Sequence, residues 1–163
     1  DLKKKPVYML GAGLNWNGPA YTHPVSFDRT GWVGEKAAKN TFAQAGLKPK
    51  DVDNCQFYDP FAFEIIRQFE TYGFCGKGEG GAFVSDGKLA LGGKLPLNTD
   101  GGLMSFSHGA AVQAGQRTIE AVKQLRGEAG DRQVKNAKVA LTSNYGAGAF
   151  FTHTMLLVTT KAS

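Results

Sequence analysis

Cysteine is scarce: only Cys55 and Cys75 occur in 163 residues, and they form no C-x-x-C pair. That excludes a disulfide framework and points to a reducing compartment, for which the cytoplasm is the expectation. Histidine is almost as rare, and His23, His108 and His153 do not fall at metal-ligand spacings. No metal and no separate cofactor is therefore expected. No apolar run is long enough to span a bilayer, and no secretory signal is visible. The formal charge of +5 is spread along the chain. Lys3-Lys4-Lys5 forms a basic cluster, but no aromatic-interleaved basic stripe follows it. Nucleic-acid binding is thereby excluded, and a weak attraction for anionic ligands remains. Internal repeats and low-complexity tracts are also missing.

The length fits one domain with a real core. Strand and helix patterns alternate, which predicts an α/β fold with a mixed sheet and helices on both faces. Pro6 to Gly11 reads as a short strand. Gly11-Ala12-Gly13 resembles a dinucleotide loop only superficially, because Asn15 to Pro19 follow instead of a helix start. Gly13 to Ser26 reads as an irregular excursion. A helix is predicted from about Thr30 to Ala45, capped by Asp28 or Thr30 and stopped by Gly46. Cys55 to Tyr58 is a short strand. Asp59-Pro60 then opens a helix with Asp as N-cap and Pro at N1. Phe61, Ile65, Ile66, Phe69 and Tyr72 form its predicted buried side, and Gly73 ends it. Ala82–Ser85 and Lys88–Leu91 around Asp86-Gly87 predict a hairpin. Ala137–Ser143 and Ala149–Thr160 are two apolar strands suited to a sheet centre.

The chain is organised around Asn98-Thr99-Asp100-Gly101-Gly102-Leu103-Met104-Ser105-Phe106-Ser107-His108-Gly109-Ala110. This loop delivers His108 to a periodic helix carrying Ala111, Val112, Gly115, Ile119, Val122 and Leu125, which Gly127 stops. A helix N-terminus there would favour a neutral imidazole able to donate to a developing oxyanion. The plain alternative is a capping loop with an incidental histidine. Other candidates carry plain readings as well. Asp59 serves as a helix cap, and Tyr58 and Tyr145 as buried phenols seeking a partner. Cys75 is a small core residue, His23 and His153 are loop and strand residues, and Trp16 and Trp32 pack.

Three loops follow strand ends: Tyr58-Asp59-Pro60-Phe61, the His108 loop, and Tyr145-Gly146-Ala147-Gly148. With Gly73-Phe74-Cys75, Gly78-Glu79-Gly80-Gly81, Gly101-Gly102-Leu103, Leu125 to Gly130 and Ala137 to Leu141, nearly the whole chain resembles the C-terminal half of the thiolase superfamily. The similarity is greatest to the sterol-carrier-protein thiolase and lipid-transfer branch. It implies a single thiolase-like C-terminal domain over 1–163. Because Asp1-Leu2-Lys3 lacks an initiating Met, a fragment or half of a larger enzyme is the expectation. The missing N-terminal half would supply a nucleophilic cysteine, and homodimers are usual.

The family's Gly-His-Pro histidine maps onto His108, with Ser107 and Gly109 as altered flanks. Its His-Asp-Cys-Phe motif maps onto Tyr58 to Phe61, so Pro60 replaces a cysteine. Its late Cys-x-Gly maps onto Gly146-Ala147-Gly148, and that cysteine is gone too. What the resemblance leaves is oxyanion chemistry from His108 and the Gly148 N–H, with Tyr58 and Tyr145 at the mouth of the pocket. Asp59, Ser105, Gly146 and Gly148 are the expected substrate-binding positions. This set suits retro-aldol cleavage of a β-hydroxyacyl-CoA bearing a lipid or steroid side chain, with coenzyme A entering as part of the substrate. Members of that kind work with an OB-fold, zinc-ribbon partner. Two other readings compete: a thiolytic acyltransferase using a cysteine from the other half, and a non-catalytic acyl-CoA or sterol binding module.

Overall fold

The computed structural model describes residues 3–16, 32–106, 108–109, 112–146 and 151–159. Its elements, in order, are β1 (Tyr8–Trp16), α1 (Glu35–Ala45), β2 (Asn54–Gln56), α2 (Ala62–Thr71), α3 (Gly80–Ser85), α4 (Gly102–Ser105), α5 (Gln113–Arg126), β3 (Val139–Gly146) and β4 (Phe151–Val158). The strands make one sheet in the order β1-β4-β3-β2. β4 runs antiparallel to β1 and β3, and β2 runs parallel to β3. The two apolar C-terminal strands therefore occupy the sheet centre, as their composition predicts.

Successive strand residues face opposite sides of a sheet. Leu141 of β3 lies in a core with Val33, Ala38 and Phe42 from the α1 side and Phe57 and Phe69. Its neighbour Ala140 packs instead on Ala121 and Leu125 of α5. Helices thus cover both faces of a mixed sheet, in agreement with the predicted α/β class.

Several local expectations are corrected. β1 does not stop at Gly11 but continues to Trp16. A Cβ on Gly11 would sit 2.3 Å from the Thr41 carbonyl oxygen, and one on Gly13 2.1 Å from that of Ala37. The glycines let α1 press against the strand; they do not cradle a phosphate. α1 begins at Glu35 behind Gly34, whose φ is 110°. The predicted caps Asp28 and Thr30, and most of the predicted excursion, lie outside the described residues. The predicted hairpin around Asp86-Gly87 is a helix end. α3 closes at Ser85, whose hydroxyl donates to the Gly81 carbonyl. Asp86 accepts the Lys88 N–H at 3.0 Å in the following turn. Phe83 docks on Phe69 with ring centroids 5.0 Å apart, so burying an aromatic against α2 outweighs strand propensity.

α5 ends at Gly127 in the left-handed region, as predicted. Its inward face differs from the apolar stripe. Gln113, Arg117, Glu120, Ala121, Gln124 and Leu125 are buried, whereas Val112 and Ile119 are 67% and 57% exposed. The polar residues are buried because they are partnered. Thr99 donates to Glu120 at 2.7 Å, Gln124 donates to Thr99 at 3.0 Å, and Arg117 meets Asp100.

Candidate functional site

β2 ends at Gln56, and the next three residues leave the sheet under firm control. The Phe57 N–H donates to Asn98 Oδ1 at 2.7 Å. The Tyr58 N–H donates to the Ser143 carbonyl of β3, and the Tyr58 carbonyl accepts from Gln68 of α2 at 2.7 Å. Gln68 in turn accepts from the Ser143 hydroxyl. With its backbone held on two sides, Tyr58 directs its phenol to His108, and Oη lies 2.9 Å from Nε2. The structure thus brings together two of the predicted site residues, fifty positions apart in sequence.

Tyr58 is half-buried, and burial pushes its phenol above the ordinary value of 10.0. A hydrogen bond from the Gln113 side chain opposes that rise, while Glu64 and Asp59 add to it. Gln113 was missed by sequence reasoning. The one signal available was a polar residue on the inward side of the helix after His108. His108 itself is exposed and precedes the first residue of α5 by several positions. Among the described residues, the side chain that reaches its imidazole is the Tyr58 phenol.

Asp59 does not cap its own helix. α2 has Phe61 at its N-cap position, without a side-chain cap. The Asp59 carboxylate is buried and accepts the Leu103 N–H of α4 at 2.9 Å. Burial raises its pKa above the ordinary 3.8, while the Leu103 bond, the Arg117 charge and bonds from Met104 and Asn98 act against the rise. Gly102 lies under this carboxylate, with φ 69°. A Cβ there would sit 2.1 Å from Asp59 Oδ2. Asp100 accepts the Gly102 N–H and receives both guanidinium nitrogens of Arg117 at 2.9 Å. Asp59 and the Asp100–Arg117 pair therefore fix α4, the element just before His108.

Ser105 is exposed on α4 and, with Phe106, Gln116, Ile119 and Lys123, lines a cavity of about 500 Å³. No hydrogen bond joins it to Tyr58 or His108 among the described residues. Tyr145 and Gly146 close β3 opposite Thr152 and Phe151. Tyr145 is two residues beyond Ser143, at the same end of the sheet as Tyr58, and its side chain lies outside the described part. Ser107, Ala147 and Gly148 lie outside the described residues, as does His23.

Cys55 is buried and Cys75 half-buried. Burial pushes both thiols up, and Glu70 and Glu79 push Cys75 further. Neither is poised as a thiolate. No group of three or more His, Cys, Asp or Glu able to hold a metal occurs among the described residues, nor a helix long and apolar enough to cross a membrane.

The phenol–imidazole pair thus lies beyond the strand ends of a mixed sheet layered between helices. The family described as "Thiolase C-terminal domain-like" matches residues 25–159, and the chain belongs to that family. It is similar to sterol carrier protein 2 of Bos taurus, 34% identical over 154 residues, 91% of this chain and 28% of that protein. It is 40% identical over 136 residues to 17-hydroxy-3-oxo-4-pregnene-20-carboxyl-CoA lyase of Mycobacterium tuberculosis, 78% of this chain and 33% of the lyase. The solved Ltp2-ChsH2(DUF35) aldolase superposes with TM-score 0.80 at 28% identity, covering 98% of this chain and 41% of that one. The chain spans 21% to 28% of the length of the sterol carrier proteins it matches.

Proposed function

We propose that this chain carries the oxyanion and proton-transfer side of an acyl-CoA carbon–carbon lyase, which cleaves a β-hydroxyacyl-CoA by a retro-aldol reaction. The observation that carries this is the 2.9 Å contact between the Tyr58 phenol and His108 Nε2 in a chain whose cysteines are both unsuited to nucleophilic work. The phenol oxygen takes the substrate hydroxyl proton as its own proton passes to His108. The bond between the hydroxyl-bearing carbon and the carbon next to the thioester breaks, releasing a ketone or aldehyde. Its electron pair becomes the thioester enolate. The imidazolium N–H stabilises that enolate and supplies the proton that completes the shortened acyl-CoA. The proton count closes, and no oxidant or covalent intermediate is needed. By family resemblance alone, Tyr145 and Gly148 remain further candidates for this site.

Similarity to the steroid-acyl-CoA lyase and to the aldolase complex supports a bulky lipid or steroid side chain as the group cleaved. It also supports a second protein of the DUF35 type as partner. Val112, just before α5, and Ile119, on its outer face, are exposed and suit packing against another thiolase-like half and homodimer formation.

The test offers a β-hydroxyacyl-CoA and a β-ketoacyl-CoA plus free coenzyme A, side by side, before and after cysteine alkylation. Alkylation-resistant cleavage of the first is expected. Alkylation-sensitive thiolysis of the second, with Tyr58→Phe fully active, identifies an acyltransferase instead. Tight acyl-CoA binding without turnover of either identifies a binding module.

A further inference from the structure

We infer that a second cavity, at the end of the sheet away from Tyr58 and His108, binds a fatty-acid anion: a carboxylate carried on an apolar chain. The inference does not rest on the functional reading above. Val52 lines this cavity and precedes β2, whereas Tyr58 follows β2, so the two sites lie at opposite ends of that strand. The cavity has a volume of about 570 Å³, within the roughly 300–1,000 Å³ of small-molecule sites.

Its apolar floor is built on the main core. Phe69 is fully buried and carries the rings of Phe74 and Phe83, with centroids 5.3 and 5.0 Å away. Both outer rings line the cavity half-buried, and Val52 and Leu95 line it at 6% and 7% exposure. Side chains buried to that degree are met by a ligand that enters, not by a flat surface laid across the opening. The backbone around them is held. The Phe74 N–H donates to the Phe69 carbonyl at 3.0 Å, and the Leu95 N–H to the Lys88 carbonyl at 2.9 Å.

Charge decides the kind of ligand. Lys48, Lys50, Lys88 and Lys94 line the cavity with one carboxylate, Asp86. Lys48 and Lys50 flank Pro49, at a 3-10 turn (Pro49–Asp51) whose Asp51 carboxylate accepts the Lys48 N–H at 2.8 Å. Asp86 is already matched, because Lys88 Nζ lies 2.7 Å from it. The same ammonium stands 3.7 Å from the Phe83 ring centroid. No ion pair engages Lys48, Lys50 or Lys94 among the described residues. Three ammonium groups without a counter-charge around an apolar floor fit an anionic head on an apolar chain.

The test titrates the full protein carrying this chain with dodecanoate below its micelle concentration, by calorimetry. Saturable binding is expected. Replacing the three exposed amines together, by Lys48→Gln, Lys50→Gln and Lys94→Gln, should weaken it about tenfold, with the urea midpoint unchanged. Dodecanol, which lacks the charge, and inorganic phosphate, which lacks the chain, should each bind the wild type at least about tenfold more weakly than dodecanoate. His108→Ala should bind dodecanoate as the wild type does. No binding of dodecanoate overturns the inference. So does equal affinity in the triple variant, equal affinity for dodecanol or for phosphate, or loss of binding in His108→Ala. The two wild-type comparisons decide the matter even if the triple variant fails to fold.

Discussion

Replacing Gly102 by Ala is the most direct test of how the site is held. Gly102 has φ 69°, where a Cβ costs about 1–2 kcal/mol. The added methyl would also lie 2.1 Å from Asp59 Oδ2 and 2.9 Å from Asn98 Nδ2. Neither neighbour can yield cheaply. Asp59 is 3% exposed and accepts the Leu103 N–H, and the Asn98 side chain accepts the Phe57 N–H. Displacing the carboxylate breaks a charge-assisted hydrogen bond worth about 1.5–3 kcal/mol. The two effects together give a loss of roughly 2.5–5 kcal/mol. At a urea slope of about 1–3 kcal/mol/M this lowers the unfolding midpoint by at least about 0.8 M. Gly115 is the matched control. It lies in α5, and a Cβ added there would meet nothing within 4 Å. Gly115→Ala should stabilise by about 0.5–1 kcal/mol through helix propensity alone. A Gly102→Ala midpoint within about 0.2 M of wild type, on the order of 0.5 kcal/mol, would refute the account of α4 as an element fixed by Asp59.

Tyr58→Phe should lower β-hydroxyacyl-CoA cleavage by about 10²–10⁴-fold, and His108→Ala by about 10²–10³-fold, with the double variant far from additive because both serve one enolate-forming step. Steady-state kinetics of the three variants checks this, and an active Tyr58→Phe removes the phenol from the mechanism. Glu120 should contribute to acid sensitivity. Burial tends to raise its carboxyl, but hydrogen bonds from Thr99, Gln124 and Arg132 outweigh burial and hold it below the ordinary 4.5. Its folded pKa is thus depressed, so its stabilisation is present above pH 4.5 and is lost as pH falls through the folded pKa. Urea midpoints measured across this range should fall less steeply for Glu120→Gln than for wild type, and parallel curves would contradict the network. Cys55, fully buried with its thiol pushed up, should resist iodoacetamide at neutral pH in the folded chain and react on unfolding. Mass analysis of labelled peptides decides this, with rapid native labelling as the contrary result.

The sheet and its layers were legible because they follow from composition over long windows. Ala137 to Thr160 is apolar and β-branched, and it forms the two central strands. Gly46 and Gly127 mark helix ends because both take a left-handed φ, 66° and 75°, where other residues are strained. Legibility fails where a tertiary contact overrides a local signal. Gly11 and Gly13 read as a loop signature because close helix approach and phosphate approach demand the same missing Cβ. Asp86-Gly87 does turn the chain, but the sequence does not show that Phe83 would bury on Phe69 and make the preceding segment helical.

The site shows the same division more sharply. His108 and Tyr58 are identifiable from the residues around each, yet their contact depends on long-range bonds: Gln68 and Ser143 on the Tyr58 backbone, and Asn98 on Phe57. Periodicity selects Ile119 and Val112 for the core of α5, whereas the chain buries Arg117, Glu120 and Gln124 and leaves the apolar pair exposed. A buried arginine or glutamate is expensive without partners, and a single-chain pattern contains no information about partners supplied by Thr99 and Asp100. The inversion has a functional consequence. With its polar face inward, α5 sets Arg117 against Asp100, which accepts the Gly102 N–H, so the helix holds the element that leads to His108. An apolar inward face would support the sheet equally well but would leave Asp100 without its guanidinium partner. The polar burial that defeats the periodicity rule is therefore what connects the fold to the proposed chemistry.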